Sequence, residues 1–279
     1  MIIDSHQHFW RLSRGDYTWL TSDQRILYQD YLPADLEPML LANNIRATVL
    51  VQAAASEAES RYLFKIAEEH SFVAGVVGWV DFESPTIAQR IAGLTRDGGN
   101  KLKGLRPMIQ DIADPHWISK TALDTAFEAM TANGLVFDAL VKPFQIDALR
   151  RRLLRHPKLR AVLDHAGKPD IANNGFDTWS VELDRLARDT ATCCKLSGLL
   201  TEAGERASLE TIAPYVAHAF ACFGPQRVLW GSDWPVVNLA GSLTQWLKLA
   251  RELVGRFAPG HENAVFGGTS NALYQLGIA

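Results

Sequence analysis

Short runs of β-branched and other apolar residues recur along the chain, each stopping at polar or charged positions and each followed by a longer segment with apolar residues at helical spacing. The pattern predicts eight strands: Ile2 to Phe9, Ala47 to Ala53, Phe72 to Asp81, Leu102 to Met108, Leu135 to Val141, Ala161 to His165, Cys193 to Gly198, and Val228 to Asp233. Helix punctuation falls between them. Ser84 followed by Pro85 suits a helix start, and Gly134 after Asn133 suits a helix stop. Regular alternation of strand and helix predicts a parallel sheet covered by helices, and eight repeats predict closure into a single (β/α)8 TIM barrel spanning residues 1–279. The rival is a doubly wound open sheet. That fold usually carries a glycine-rich loop after its first strand, whereas here the first strand runs into His-Gln-His-Phe-Trp.

Composition changes the picture little. At 279 residues, 47% apolar and 21% charged, the chain has enough apolar content for a large core and too much for a disordered segment. A net charge of -3 gives no electrostatic reason to expect nucleic acid or an acidic membrane as partner. The first apolar run already holds Asp4, His6 and His8, so no signal peptide is expected there, and no stretch approaches the roughly 20 apolar residues that span a bilayer. Cys193, Cys194 and Cys222 make no disulfide framework. A cytoplasmic protein is expected, with its oligomeric state left open.

Candidate chemistry gathers at the C-terminal ends of the expected strands, where barrel active sites form. His6 and His8 are two apart on a strand, so both imidazoles face one side and can share a metal; a bare pair of inward polar residues is the bland alternative. Asp233 ends the last strand, placed to bind metal or to take a proton from water, unless it merely caps the following turn. His165 follows the sixth strand, and Gly167 lets the backbone pass close to a ligand. Basic residues also collect at strand ends: Lys103, Arg106, Lys142, Lys168 and Lys195. Arg106 and Lys195 lie inside strand-like runs and suit an oxygen-rich or carboxylate substrate, with Lys103 and Lys168 as further candidates. Trp10 and Trp234 flank the candidate metal residues in sequence and are candidate apolar walls.

Three blocks, Ile3-Asp-Ser-His-Gln-His-Phe-Trp10, Leu163-Asp-His-Ala-Gly-Lys-Pro169 and Gly231-Ser-Asp-Trp-Pro235, together resemble the amidohydrolase-2 branch of the amidohydrolase superfamily. Within that branch the chain resembles the sugar-lactone hydrolases of the L-fuconolactonase type, a likeness that takes in Lys103-Gly-Leu-Arg-Pro107 and Asn271-Ala-Leu-Tyr274. The resemblance implies that His6, His8 and Asp233 are metal ligands for a divalent ion, Zn²⁺ being the expected one, with His165 at the sixth-strand histidine. One departure matters. Many members place a histidine after strand five, but here that run reads Val136-Phe-Asp-Ala-Leu-Val-Lys-Pro143, which argues against two metals and leaves a metal-independent route open.

The expected reaction is hydrolysis of a small-molecule sugar lactone to its aldonic acid. Asp233 takes a proton from a metal-held water, and Arg106, His165 or the metal steadies the oxyanion. Metal-free hydrolysis of another lactone, decarboxylation of an unsaturated acid, and ligand binding without turnover are the alternatives.

Overall fold

The computed structural model describes residues 1–278. All eight expected strands form: β1 (Ile2–Gln7), β2 (Ile45–Val51), β3 (Val73–Gly78), β4 (Leu102–Leu105), β5 (Val136–Ala139), β6 (Ala161–Leu163), β7 (Cys193–Leu196) and β8 (Val228–Trp230). They lie parallel in sequence order from β1 to β8. Beyond the end of β8 the chain returns to β1, where the Asp233 amide donates to the His6 carbonyl at 2.8 Å and the His8 amide to the Trp234 carbonyl at 2.8 Å. The sheet thereby closes into a barrel. A doubly wound sheet would reverse its strand order part-way, so that alternative fails.

Helices Pro33–Ala42, Glu57–Glu69, Ile87–Gly98, Asp124–Ala132, Ile146–Arg155, Phe176–Asp189, Leu209–Phe223 and Leu243–Phe257 follow the successive strands. Local chemistry sets their ends. Ser56, Ser208 and Ser242 cap three of them by accepting from the amides of Glu59, Thr211 and Gln245. The helix before Gly134 stops there as expected, that glycine taking φ 64°. The helix after Pro85 begins at Ile87.

Most apolar side chains fill the layer between sheet and helices. A smaller cluster inside the barrel holds Val49, Val51, Val77, Val136, Val162 and Leu229, with Tyr274 of the C-terminal helix Thr269–Tyr274 against it. Among the described residues no helix is long and apolar enough to cross a membrane.

Several strands end sooner than their apolar runs do. His165 after β6, Gly198 after β7 and Asp233 after β8 all adopt positive φ, which turns the chain out of the sheet. The same turns deliver these residues to one rim.

Candidate active site

By the two-residue period of β1, Asp4, His6 and His8 share a face, and all three are buried. Asp4 secures the opposite wall of the site. Its carboxylate accepts from the Ser232 amide at 2.7 Å and the Ser232 hydroxyl at 2.5 Å, which pins the segment that carries Asp233. Burial drives the Asp4 carboxyl up to about 7, against the pull of these bonds.

Asp233 takes φ 59°, a left-handed conformation that Asp tolerates better than most residues. Its Oδ1 lies 3.4 Å from His8 Nε2 and 3.7 Å from His6 Nε2. Burial opposes ionisation, but the surrounding imidazoles, His165 first and then His8 and His6, outweigh it and hold the Asp233 carboxyl well below the usual carboxylate range. It is therefore ionised at neutral pH.

His165 opens a left-handed turn with φ 52°, 51°, 73° and 51° from His165 through Lys168. Three of these four residues are not glycine, at a cost of about 1–2 kcal/mol each. The turn is held in place by the Trp179 indole N–H, which donates to the Ala166 carbonyl at 2.7 Å. Ser197 Oγ lies 2.9 Å from His165 Nδ1 and orients the ring, leaving Nε2 for the cavity. Gly198 makes room for that ring, since a Cβ there would come within 2.8 Å of it.

Burial pushes His165 down to about 4, against about 6.5 in an unfolded chain. Between those values the unfolded chain takes up a proton that the native protein refuses, so this residue's contribution to stability is lost as pH falls from 6.5 toward 4. The expected difference in unfolding free energy between wild type and His165→Gln shrinks by about 3 kcal/mol over that range. Denaturant titrations at pH 7 and pH 4.5 measure it, and a difference independent of pH contradicts a neutral buried imidazole.

Beneath the histidines lies a buried ionic floor. Lys195 Nζ is 2.5 Å from Asp138 Oδ2 and 2.9 Å from Asp164 Oδ1, and Arg106 Nη1 is 3.5 Å from Asp164 Oδ2. Arg106 also donates to the Gln52 carbonyl, while Gln52 Nε2 donates back to the Arg106 carbonyl at 2.6 Å. Above the floor opens a cavity of about 360 Å³. His8, Arg106, His165, Lys168 and Asp233 form its polar side, and Trp19, Met108, Leu140 and Val236 its apolar side. His8, Arg106, Leu140, His165 and Asp233 each lie within three residues of a strand's C-terminal end.

Comparisons with known proteins give the chain its family. The amidohydrolase family model (Amidohydro_2) matches residues 3–276. The chain belongs to the amidohydrolase-2 family. It is 43% identical over 278 residues to a Burkholderia ambifaria protein described as L-fucono-1,5-lactonase, covering 98% of this chain and 95% of that one. A second L-fucono-1,5-lactonase, from Burkholderia multivorans, is 38% identical, with 98% and 96% covered. The crystal structure of a Burkholderia multivorans amidohydrolase with bound zinc superposes with a TM-score of 0.92 at 36% identity, covering 99% of both chains.

The donors in this amidohydrolase suit a divalent cation. His6, His165 and Asp233 each offer one ligand atom within 4.8 Å of the others. His8 adds a further indication. Its Nδ1 lies 2.8 Å from the Val51 carbonyl and must carry the proton to bond it, so a neutral His8 turns the lone pair of Nε2 toward the Asp233 carboxylate. Two acceptors facing each other are relieved by a cation or a proton between them.

Three of the candidate substrate contacts are not at the cavity. Lys103 stands near the start of its strand, at the opposite pole, where its ammonium donates to the Gln275 carbonyl at 3.0 Å. Lys195 points inward from mid-strand and is enclosed by the ionic floor. Trp10 is fully buried, its indole N–H on the Gln29 carbonyl and its ring packed behind Trp19, which takes the wall position instead. Trp234 is likewise buried, against Phe9 and Tyr31. Arg106 and Lys168 do reach the cavity, Lys168 in a 2.6 Å ion pair with Glu202.

Several residues of the site are not among the site candidates drawn from the sequence. Asp4 and Asp164 carried a usable signal, each being a carboxylate beside a marked histidine in an apolar strand. Ser197, Gly198 and Trp19 carried none, because their roles depend on which loops meet.

Proposed function

We infer that this amidohydrolase opens a sugar lactone, L-fucono-1,5-lactone or a related aldonolactone, to the aldonic acid. The observation that carries this reading is an ionised Asp233 facing a cavity beside Arg106, in a chain 43% identical over nearly its whole length to an L-fucono-1,5-lactonase.

Asp233 takes a proton from water as the water oxygen bonds to the lactone carbonyl carbon. Arg106 donates to the carbonyl oxygen as negative charge grows on it, and the His165 edge faces the same space. The bond from carbonyl carbon to ring oxygen then breaks, and Asp233 returns its proton to that oxygen. The product carboxylate lies beside Arg106 and Lys168, while Trp19, Met108 and Leu140 meet the apolar face of the sugar. Zn²⁺ fits the donors, and His6, His8, His165 and Asp233 are the residues that would hold it, where it would supply a Lewis acid for carbonyl or water. The thiols of Cys193, Cys194 and Cys222 are free, which supports a reducing compartment such as the cytoplasm for the reaction.

A panel of aldonolactones with acid release followed by a pH indicator tests this function. Turnover of the fuconolactone and its near stereoisomers is expected, with no carbon dioxide from aromatic acids. Absence of turnover on every aldonolactone would falsify the assignment. Chelator-stripped protein is expected to take up one zinc ion in equilibrium dialysis and Asp233→Asn to lose that uptake; equal uptake by both removes Asp233 from the metal site.

A further inference from the structure

Lys195 is the one lysine with no exposure at all, and it lies directly beneath His6. Its ammonium has three protons. It forms hydrogen bonds with Asp138 Oδ2 at 2.5 Å and His6 Nδ1 at 3.1 Å, and an ion pair with Asp164 Oδ1 at 2.9 Å. Asp138 Oδ2 is fixed in turn by the Tyr274 hydroxyl, which donates to it at 2.7 Å from the helix at the foot of the barrel. Two hydrogen bonds and one ion pair thus hold the ammonium, and the side chain cannot turn aside without leaving a buried charge short of a partner.

The other edge of His6 meets a second cation. Arg106 Nη1 lies 3.2 Å from His6 Nε2. Both Lys195 and Arg106 can only donate, whereas a neutral imidazole has one nitrogen free to accept. An imidazolium would set both its N–H groups against cations that can only donate, so the ring between Lys195 and Arg106 is neutral. Only one of the two donors can therefore be satisfied by the ring. Arg106 has other outlets, since Nη1 lies 3.5 Å from Asp164 Oδ2 and the side chain borders the cavity, where water or a substrate oxygen can take the proton. Lys195 has none.

We propose that Lys195 is a positioning residue that sets the tautomer of His6: Nδ1 accepts from the ammonium, and Nε2 carries the proton toward the cavity, on the side where Asp233 Oδ1 lies 3.7 Å away. His6 then meets a bound oxygen as a hydrogen-bond donor beside Arg106. A divalent cation on Nε2 needs the opposite tautomer, with the proton on Nδ1 directed to Asp164 Oδ1 at 3.6 Å in place of the bond from Lys195. The lysine thus governs how firmly His6 joins a metal site. This inference does not depend on which lactone is hydrolysed, or on lactone hydrolysis at all.

Nitrogen-15 NMR of metal-free protein labelled at the histidine rings tests it, with the His6 signals identified by their loss in His6→Gln. The expected result is an unprotonated Nδ1 and a protonated Nε2; the reverse pattern overturns the proposal. A second arm uses the double variant Lys195→Met with Asp138→Asn, in which both members of the ion pair are neutral, against Asp138→Asn alone. The His6 proton is expected to move to Nδ1, and zinc affinity by equilibrium dialysis to rise at least about tenfold. An unchanged tautomer or unchanged zinc affinity in the double variant counts against control by Lys195. If that variant does not fold, the wild-type spectrum alone decides.

Discussion

Replacing Asp233 by Asn is expected to lower kcat for lactone hydrolysis by about 10³-fold, within the 10²- to 10⁴-fold range of a lost general base, with KM changed by less than about threefold. The change keeps side-chain size and removes the buried carboxylate that lines the cavity, Asp111 at its edge being exposed. Asn also tolerates the φ of 59° at this position, so the backbone turn that closes the barrel between residue 233 and His6 survives. Stability should move little, because Asp4 rather than Asp233 anchors the segment through Ser232. Initial rates on an aldonolactone, together with a melting curve showing an intact fold, make the measurement. A loss of less than tenfold would mean that water is activated elsewhere.

Such a prediction could be framed from sequence because β1, β6 and β8 each carry their chemistry where an apolar run stops. The period of two along β1 aligned His6 with His8, and the run from Val228 delivered Asp233 to the same rim. Strand identity was legible throughout, since most strands are apolar runs too short to be helices and the others stand in the same alternation with helical segments. Strand ends were not. The runs continue into Asp164-His165 and Ser232-Asp233, where the chain leaves the sheet through positive φ that no periodicity encodes. The basic residues mark the second limit. Lys103 and Arg106 lie three apart in one run, yet Lys103 bonds Gln275 at the base while Arg106 borders the cavity. Closeness in sequence could not separate them, because a strand rising about 3.3 Å per residue carries neighbours toward opposite poles. Lys195 shows the same limit in depth: an inward lysine in a barrel strand reads as a substrate contact until the carboxylates of Asp138 and Asp164 are seen enclosing it.

Removing the guanidinium of Arg106 should have the next largest effect. Arg106→Met is expected to reduce kcat/KM by about 10²- to 10³-fold, the usual consequence of losing one donor to a developing oxyanion. Two features make this residue hard to replace. Arg106 spans the Gln52 carbonyl, the edge of His6 and the cavity with a single planar group, which the point charge of a lysine cannot do, so Arg106→Lys should still lose about tenfold or more. The side chain also faces Asp164, a fully buried carboxylate held well below the usual range chiefly because the Lys195 charge, with Arg106 beside it, overcomes the cost of its burial. Arg106→Met leaves Asp164 to Lys195 alone, so a loss of about 3 kcal/mol in stability is expected alongside the kinetic one. Inhibition by the aldonic acid product separates the two effects, because a carboxylate that rests on Arg106 binds the methionine variant more weakly even where the protein is fully folded. A variant that retains kcat/KM within about fivefold, with product inhibition unchanged, would show that neither the oxyanion nor the product carboxylate relies on this guanidinium.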